Sequence, residues 1–267
     1  MDYSTFQYIK VEKIGKVAKV TINRPELKNA INWEVHGEIE RLWREIPHDD
    51  DVAAIVLTGA GDSFSAGGDI QRMAKRAGNE EGLKFSLGVP GGTRRLLQAM
   101  LDVDQPIIAA INGDCIGVGA SISLMSDITV ISETAKFGDP HVRIGLVAGD
   151  GGAVIWPLLI GPARAKNFLL RGLLMKGKEA ADMGLITYAE PAGKVVDRAM
   201  EIAAEIAELP IWAVRFTKVA VNKAIKQQLT NVLETSIALE ALSMHTADFK
   251  EAVNAFVDKR KPEFKGY

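Results

Sequence analysis

Two glycine-rich turns carry residue types from which a catalytic site could be built. They are Phe64-Ser65-Ala66-Gly67-Gly68-Asp69-Ile70 and Asn112-Gly113-Asp114-Cys115-Ile116-Gly117-Val118-Gly119. Each follows an apolar run, 52–57 for the first and 107–111 for the second. Small side chains let a backbone approach a ligand closely and leave peptide N–H groups free to point at it. One N–H from each turn would make an oxyanion hole, which stabilises negative charge on a carbonyl or thioester oxygen. Two tight turns with no ligand satisfy the composition equally well. Other chemistries lack their residues. His36, His48, His141 and His245 include no i, i+4 pair and Cys115 stands alone, so no metal site is expected. Ile122 occupies the place of the third glycine of a dinucleotide fingerprint after Gly117-Val118-Gly119. Gly61-Asp62-Ser63-Phe64-Ser65 lacks the closing glycine of a nucleophile elbow.

The elements that would hold these turns are legible in the hydrophobic pattern. Val17 to Ile22 alternates apolar and polar, a half-buried strand. The runs 52–57, 107–111 and 128–131 are continuously apolar, as strands buried on both faces are. Trp33, Val35, Ile39, Leu42, Trp43 and Ile46 recur at helical spacing behind Asn32, a suitable N-cap. Strands separated by helices predict an α/β fold with parallel strands. Residues 75–92, rich in glycine and charge, read as a mobile loop, and pocket walls are expected within 71–100. Ile155 to Ile160 reads as a packed helix. Lys194 to Leu209 predicts an amphipathic helix stopped by Pro210, with two or three more helices through about Phe256. The chain therefore divides into a core over 1–195 and a helical region over 196–267.

Composition bounds the function. The 267 residues are 47% hydrophobic and 25% charged, with a net charge of −2, a globular balance with no basic excess for nucleic acid. One cysteine fits a reducing compartment, no stretch approaches a membrane span, and the N-terminus carries no export signal, so a cytoplasmic protein is expected.

The pair of turns resembles the signature of the crotonase, or enoyl-CoA hydratase/isomerase, superfamily, and the likeness runs through nearly the whole chain. Asn23-Arg24-Pro25-Glu26-Leu27-Lys28-Asn29-Ala30 is similar to the family's opening motif, whose backbone lies along bound coenzyme A. The resemblance implies coenzyme A contacts at Leu27, Lys28, Ala30, Ala66, Asp69 and Ile70. It places the two oxyanion donors at the N–H groups of Gly68 and Val118, where the second is usually a glycine. Lys178 to Ile186 is similar to the helix-turn before the family's helical tail. Phe256 and Lys259 resemble residues that reach a neighbouring subunit's adenine and phosphates. The implied fold is a spiral of strand-strand-helix turns closed by a helical region that builds trimers or dimers of trimers. The implied ligand is an acyl-CoA thioester, with no cofactor beyond the coenzyme A of the substrate.

Two departures from the family pattern decide the expected chemistry. Hydratases of the family carry two glutamates, and by alignment these positions hold Ser121 and His141. A serine cannot act as a general base near neutral pH. Asp139 to Gly151, followed by Val154-Ile155-Trp156-Pro157, resembles the 6-oxocamphor hydrolase branch, which cleaves a carbon–carbon bond in a cyclic β-diketone. There a His and an Asp at this spacing are proposed to activate water, and His141 and Asp150 match both. An Asp accepting from one imidazole nitrogen would fix the tautomer and leave the other to deprotonate water. That branch's second histidine has no counterpart, Gly119 and Ala120 filling the region, and it does not use coenzyme A. Hydratase-type lyase chemistry through Gly68, Val118, His141 and Asp150, with Ser121 as a pocket hydroxyl, is the leading expectation. Hydrolytic cleavage of a β-keto substrate, double-bond isomerisation and silent acyl-CoA binding are the alternatives.

Overall fold

The computed structural model describes all 267 residues. A six-stranded sheet runs in the order β1 (Ile9–Ile14), β2 (Val17–Ile22), β3 (Ala54–Gly59), β5 (Ile107–Ile111), β7 (Ile128–Ser132), β10 (Tyr188–Glu190). A four-stranded sheet runs β4 (Ser63–Ser65), β6 (Asp114–Ile116), β8 (Lys136–Gly138), β9 (Leu174–Lys176). The chain alternates between them: β3 leads into β4, β5 into β6, β7 into β8. Each step passes through a short turn, so successive turns stack like a spiral. Within the larger sheet β2, β3, β5, β7 and β10 are parallel, and β1 joins by an antiparallel hairpin. This is the strand-strand-helix spiral that the resemblance implied. The apolar strands β3 and β5 are buried throughout because both faces of the sheet are covered.

One face packs against α1 (Trp33–Glu45), α3 (Glu80–Asp102) and α9 (Ile211–Ser243) around Trp43, Phe64 and Leu96. Asn32 caps α1, its Oδ1 accepting from the Val35 N–H. The other face is closed by α8 (Val195–Ala207), which buries Ala199, Ile202 and Ala203 against Val56, Ile108 and Val130. Two helices complete the chain, α9 and α10 (Ala247–Val257). Lys218 of α9 pairs with Asp127 at 2.7 Å and donates to the Gln105 carbonyl at 2.8 Å, while Leu229, Leu233 and Ile237 enter the main core. α4 (Val118–Leu124), α5 (Gly152–Ile160), α6 (Pro162–Arg171) and α7 (Gly177–Asp182) fill the turns of the spiral, and α2 (Ile70–Arg76) precedes α3.

The expected loop over 75–92 is corrected by the structure: most of it is the first half of α3. Gly82, Gly88, Gly91, Gly92 and Pro90 all weaken a helix, which is why the sequence reads as irregular there. Packing overrides propensity. Val89, Gly92, Thr93, Leu96 and Met100 bury one stripe, and Asn79 caps the start by accepting from the Gly82 N–H at 2.9 Å. The glycines are there for close approach. A Cβ on Gly92 would lie 2.4 Å from the Trp33 ring, and one on Gly82 2.1 Å from the Arg76 carbonyl oxygen.

Candidate active site

The first glycine turn is held by residues 28–31. The Ala66 N–H donates to the Lys28 carbonyl at 2.9 Å and the Ile31 N–H to the Gly67 carbonyl at 2.8 Å. Asn29 is fully buried with φ 56°, Oδ1 accepting from the Arg24 N–H and Nδ2 donating to the Ala60 and Ser63 carbonyls. The second turn lies directly against the first. A Cβ on Gly67, whose φ is +88°, would meet the Ile116 carbonyl oxygen at 2.8 Å and the Gly117 Cα at 3.8 Å. Val118 is the first residue of α4. Neither its N–H nor that of Gly68 donates to any group of the chain. Both residues line one cavity of about 350 Å³, together with His141 and Asp150. Two free donors on adjoining turns and a titratable cluster thus share one enclosure, the arrangement an oxyanion site requires.

The cluster differs from the expected dyad. His141 Nδ1 is hydrogen-bonded to Asp139 Oδ1, and His141 Nε2 lies 3.5 Å from Asp150 Oδ2. Asp139, which sequence reasoning passed over, therefore fixes the ring, and Asp150 faces the nitrogen that had been assigned to water. Burial by itself would push the imidazole down. The charges of Asp139 and Asp150, the Asp139 hydrogen bond and the more distant Glu240 together hold it well above its ordinary value. These charges favour the protonated form of the ring, in which Nε2 carries a proton towards Asp150. Burial raises the Asp150 carboxyl, against the opposing influence of His141 and the Ser121 hydrogen bond.

Ser121 is a second correction. It does not line the cavity; it is fully buried on α4 behind Asp150, and its hydroxyl donates to Asp150 Oδ1 at 2.9 Å.

Glu240 completes the group from α9, 90 positions beyond Asp150 in the chain. It lines the same cavity, is buried, and its Oε2 has no hydrogen-bond partner. Burial and the charge of Asp150, against the pull of His141, push its carboxyl up to about 8. No local motif marks it; the weak signal is a carboxylate at i+4 from Ser236 on a helical face that turns inward. Ser236 Oγ donates to the Gly149 carbonyl at 2.9 Å and docks α9 on the turn that bears Asp150. The glycines of Gly149-Asp150-Gly151-Gly152 let the neighbours close in. Added Cβ atoms would lie 2.7 Å from Glu240 Oε2 at Gly149, 3.3 Å from Ser121 Cβ at Gly151, and against Asp139 Oδ2 at Gly152. Gly152 opens α5, so the Asp139 carboxylate sits at the positive end of that helix.

Asp139, His141 and Asp150 bring ligand atoms within 4.8 Å of one another, the span of a metal site. With Nδ1 committed to Asp139, only Nε2 and Asp150 remain, short of the three protein ligands a catalytic zinc takes. The cluster is better suited to holding protons.

The remaining expected contacts divide. Leu27, Lys28, Ala30, Ala66, Asp69 and Ile70 lie along the joined 27–31 and 66–70 segments, with Asp69 capping α2 by accepting from the Arg72 N–H. Phe256 and Lys259 lie at the exposed end of α10, away from the cavity. Pocket walls fall partly where expected, with Arg72, Met73, Leu83, Phe85 and Val89 among them, while Trp33 and His36 of α1 and Phe249 of α10 supply others outside 71–100.

Known proteins share this architecture. Residues 12–267 match the family model described as enoyl-CoA hydratase/isomerase. The chain is 36% identical to the short-chain-enoyl-CoA hydratase of Clostridium acetobutylicum, covering 95% of each sequence. It is 32% identical to the 1,2-epoxyphenylacetyl-CoA isomerase of Escherichia coli, over 94% of this chain and 95% of that one. Among solved structures, an enoyl-CoA hydratase/isomerase from Mycobacterium paratuberculosis superimposes with a TM-score of 0.88 at 33% identity, covering 94% of this chain and 99% of that chain. A match from the second half of β1 to the last residue, on a spiral whose two glycine turns meet at one cavity, leaves a single assignment: the chain belongs to the enoyl-CoA hydratase/isomerase family.

Proposed function

We propose that this protein is a hydratase-type lyase acting on an acyl-CoA thioester, with Asp150 and Glu240 in place of the family's two glutamates. The observation that carries this reading is a pair of buried carboxyl groups facing the cavity that Gly68 and Val118 border, one next to an imidazolium and one protonated up to about pH 8. Burial raises both carboxyl groups, and the neighbouring imidazole opposes the rise at Asp150, so Glu240 serves as the acid and Asp150 as the base. Asp150 takes a proton from water as its oxygen bonds to C3 of the enoyl group. The π electrons shift onto the thioester oxygen, which accepts from the Gly68 and Val118 N–H groups. The enolate then collapses, and C2 takes the Glu240 proton. His141, fixed by Asp139, keeps Asp150 oriented and offsets its charge. Phe256 and Lys259 would contact coenzyme A across a subunit boundary in a homotrimer or dimer of trimers. The exposed apolar side chains Trp212, Phe216, Leu242 and Phe256 on α9 and α10 support such association.

A second reading rests on the resemblance alone, which puts Ser121 and His141 at the glutamate positions. The same base would direct water onto the ketone carbon of a β-keto substrate, with carbon–carbon cleavage as in 6-oxocamphor hydrolases. The test is turnover of crotonyl-CoA, longer and aromatic enoyl-CoAs, and cyclic β-keto acyl-CoAs, by wild type, Asp150→Asn and Glu240→Gln. Enoyl-CoA hydration lost in both variants by about 10²-fold or more, the size of a general acid or base contribution, supports the lyase. Consumption of β-keto substrates alone transfers the assignment to the hydrolase. Binding without turnover of any of them overturns both.

A further inference from the structure

Of the four histidines, three line the cavity: His36, His141 and His245. Two have partners that explain them. His141 is bound by Asp139, and His245 Nε2 shares a hydrogen bond with Ser86 Oγ at 2.8 Å, tying the end of α9 to α3. His36 is different. It projects from α1 one turn beyond Trp33, and its ring lies parallel to the Trp33 indole with centroids 5.2 Å apart and planes inclined by 8°. Phe85 of α3 meets the same indole edge-on at 5.7 Å. Neither ring nitrogen of His36 makes a hydrogen bond or ion pair within the chain, and neither is sealed from the cavity. Burial pushes this imidazole down to about 4, with Glu40 and Arg95 making smaller, opposite contributions. The ring is therefore neutral at physiological pH and carries one N–H donor and one acceptor.

A neutral imidazole that lines the cavity with both ring nitrogens free of partners in the chain can give its N–H to a ligand, exchanging a hydrogen bond with water for one with the ligand. It cannot attract an anion, since it does not take the second proton. What fits is an uncharged oxygen on a substrate whose carbon skeleton lies against Trp33 and Phe85. We propose that His36 is a specificity-determining residue that donates a hydrogen bond to a second carbonyl oxygen on the acyl group, beyond the thioester. The substrate class is then an acyl thioester that carries a second, uncharged carbonyl oxygen, as against one that lacks it. This inference rests on the acyl-CoA reading above and narrows it.

The experiment compares equilibrium binding of hexanoyl-CoA, 3-oxohexanoyl-CoA and 5-oxohexanoyl-CoA by calorimetry. It uses the Asp150→Asn background so that bound thioester is not consumed, and far-ultraviolet circular dichroism shows each protein folded. With His36 present, at least one oxo thioester binds about tenfold more tightly than hexanoyl-CoA, the worth of one well-made hydrogen bond. Adding His36→Phe keeps the stack on Trp33 and removes the donor. The preference disappears while hexanoyl-CoA affinity changes by less than about threefold. Adding His36→Gln, which restores an N–H donor, recovers part of the preference. No oxo preference with His36 present, or one that survives His36→Phe, overturns the inference while hexanoyl-CoA binding leaves the acyl-CoA reading standing. Failure of all three thioesters to bind removes that reading and this inference with it.

Discussion

Asp150 Oδ2 lies 3.5 Å from His141 Nε2, close enough for charge to matter and longer than a strong hydrogen bond. With Asp139 bound to the opposite nitrogen, the imidazole bridges two carboxyl groups. The Asp150→Asn variant keeps the shape and removes the carboxylate proposed as the base. Its turnover falls by about 10²–10⁴-fold with little change in thermal midpoint. Steady-state kinetics and a thermal scan on the same preparation check both halves. A loss below about tenfold would return the role of base to another group.

The proton on His141 is held chiefly by Asp139. Asp139→Asn keeps a hydrogen-bonding side chain and removes the charge, so the imidazole titrates at lower pH than in the wild type. Nuclear magnetic resonance of histidine-labelled protein follows the His141 ring signal through the titration. An unchanged midpoint would show that Asp150 alone sustains the imidazolium.

Glu240 gives the stability a pH dependence of defined sign. Its carboxyl moves from an ordinary 4.5 to about 8 on folding, so across that interval the folded chain holds a proton that the unfolded chain has released. Stability therefore falls as pH rises from about 4.5 to about 8, and Glu240→Gln removes that slope. Unfolding in urea at pH 5 and pH 8 shows the variant gaining on the wild type at the higher pH. Its turnover is lower by about 10²-fold at both. Parallel stability profiles would mean that the carboxyl is ionised in the folded state.

The proposed oxyanion donors can be separated from the turns that hold them. Val118 opens α4, where a helix needs no N–H, and Gly117 before it has φ 56° and ψ −124°, the mirror of the extended backbone that precedes proline. Val118→Pro deletes one donor, lowering kcat by about 10²–10³-fold and costing less than about 1 kcal/mol of stability. Gly67→Ala acts the other way. A methyl 2.8 Å from the Ile116 carbonyl at φ +88° forces the turns apart and destabilises the fold by about 1–3 kcal/mol. Kinetics and urea unfolding of both distinguish loss of a donor from loss of the scaffold.

The sequence revealed what depends on local pattern. Strands β2 and β5 fall at the residues where alternation and apolar runs place them, α1 begins at its Asn32 cap, and the glycine turns are visible as composition. What it concealed depends on distance. α3 was hidden because Gly82, Pro90 and Gly92 argue against a helix until Trp33 and α9 are set against it. Glu240 was hidden because nothing near it in sequence distinguishes a carboxylate that ends up buried from one on a solvated face. Asp139 was hidden by proximity, two residues from the histidine it binds.

The contact of Trp33 with Gly92 has a consequence for how such a protein can change. The breadth of the cavity is decided where two helices meet over a missing side chain, while the proton-handling groups sit on the β8–α5 segment and on α9. A lineage could reshape its acyl preference by exchanging residues along α1 and α3 without disturbing the reacting groups, or trade those groups while keeping the same acyl shape. The two properties are inherited on separate stretches of one chain.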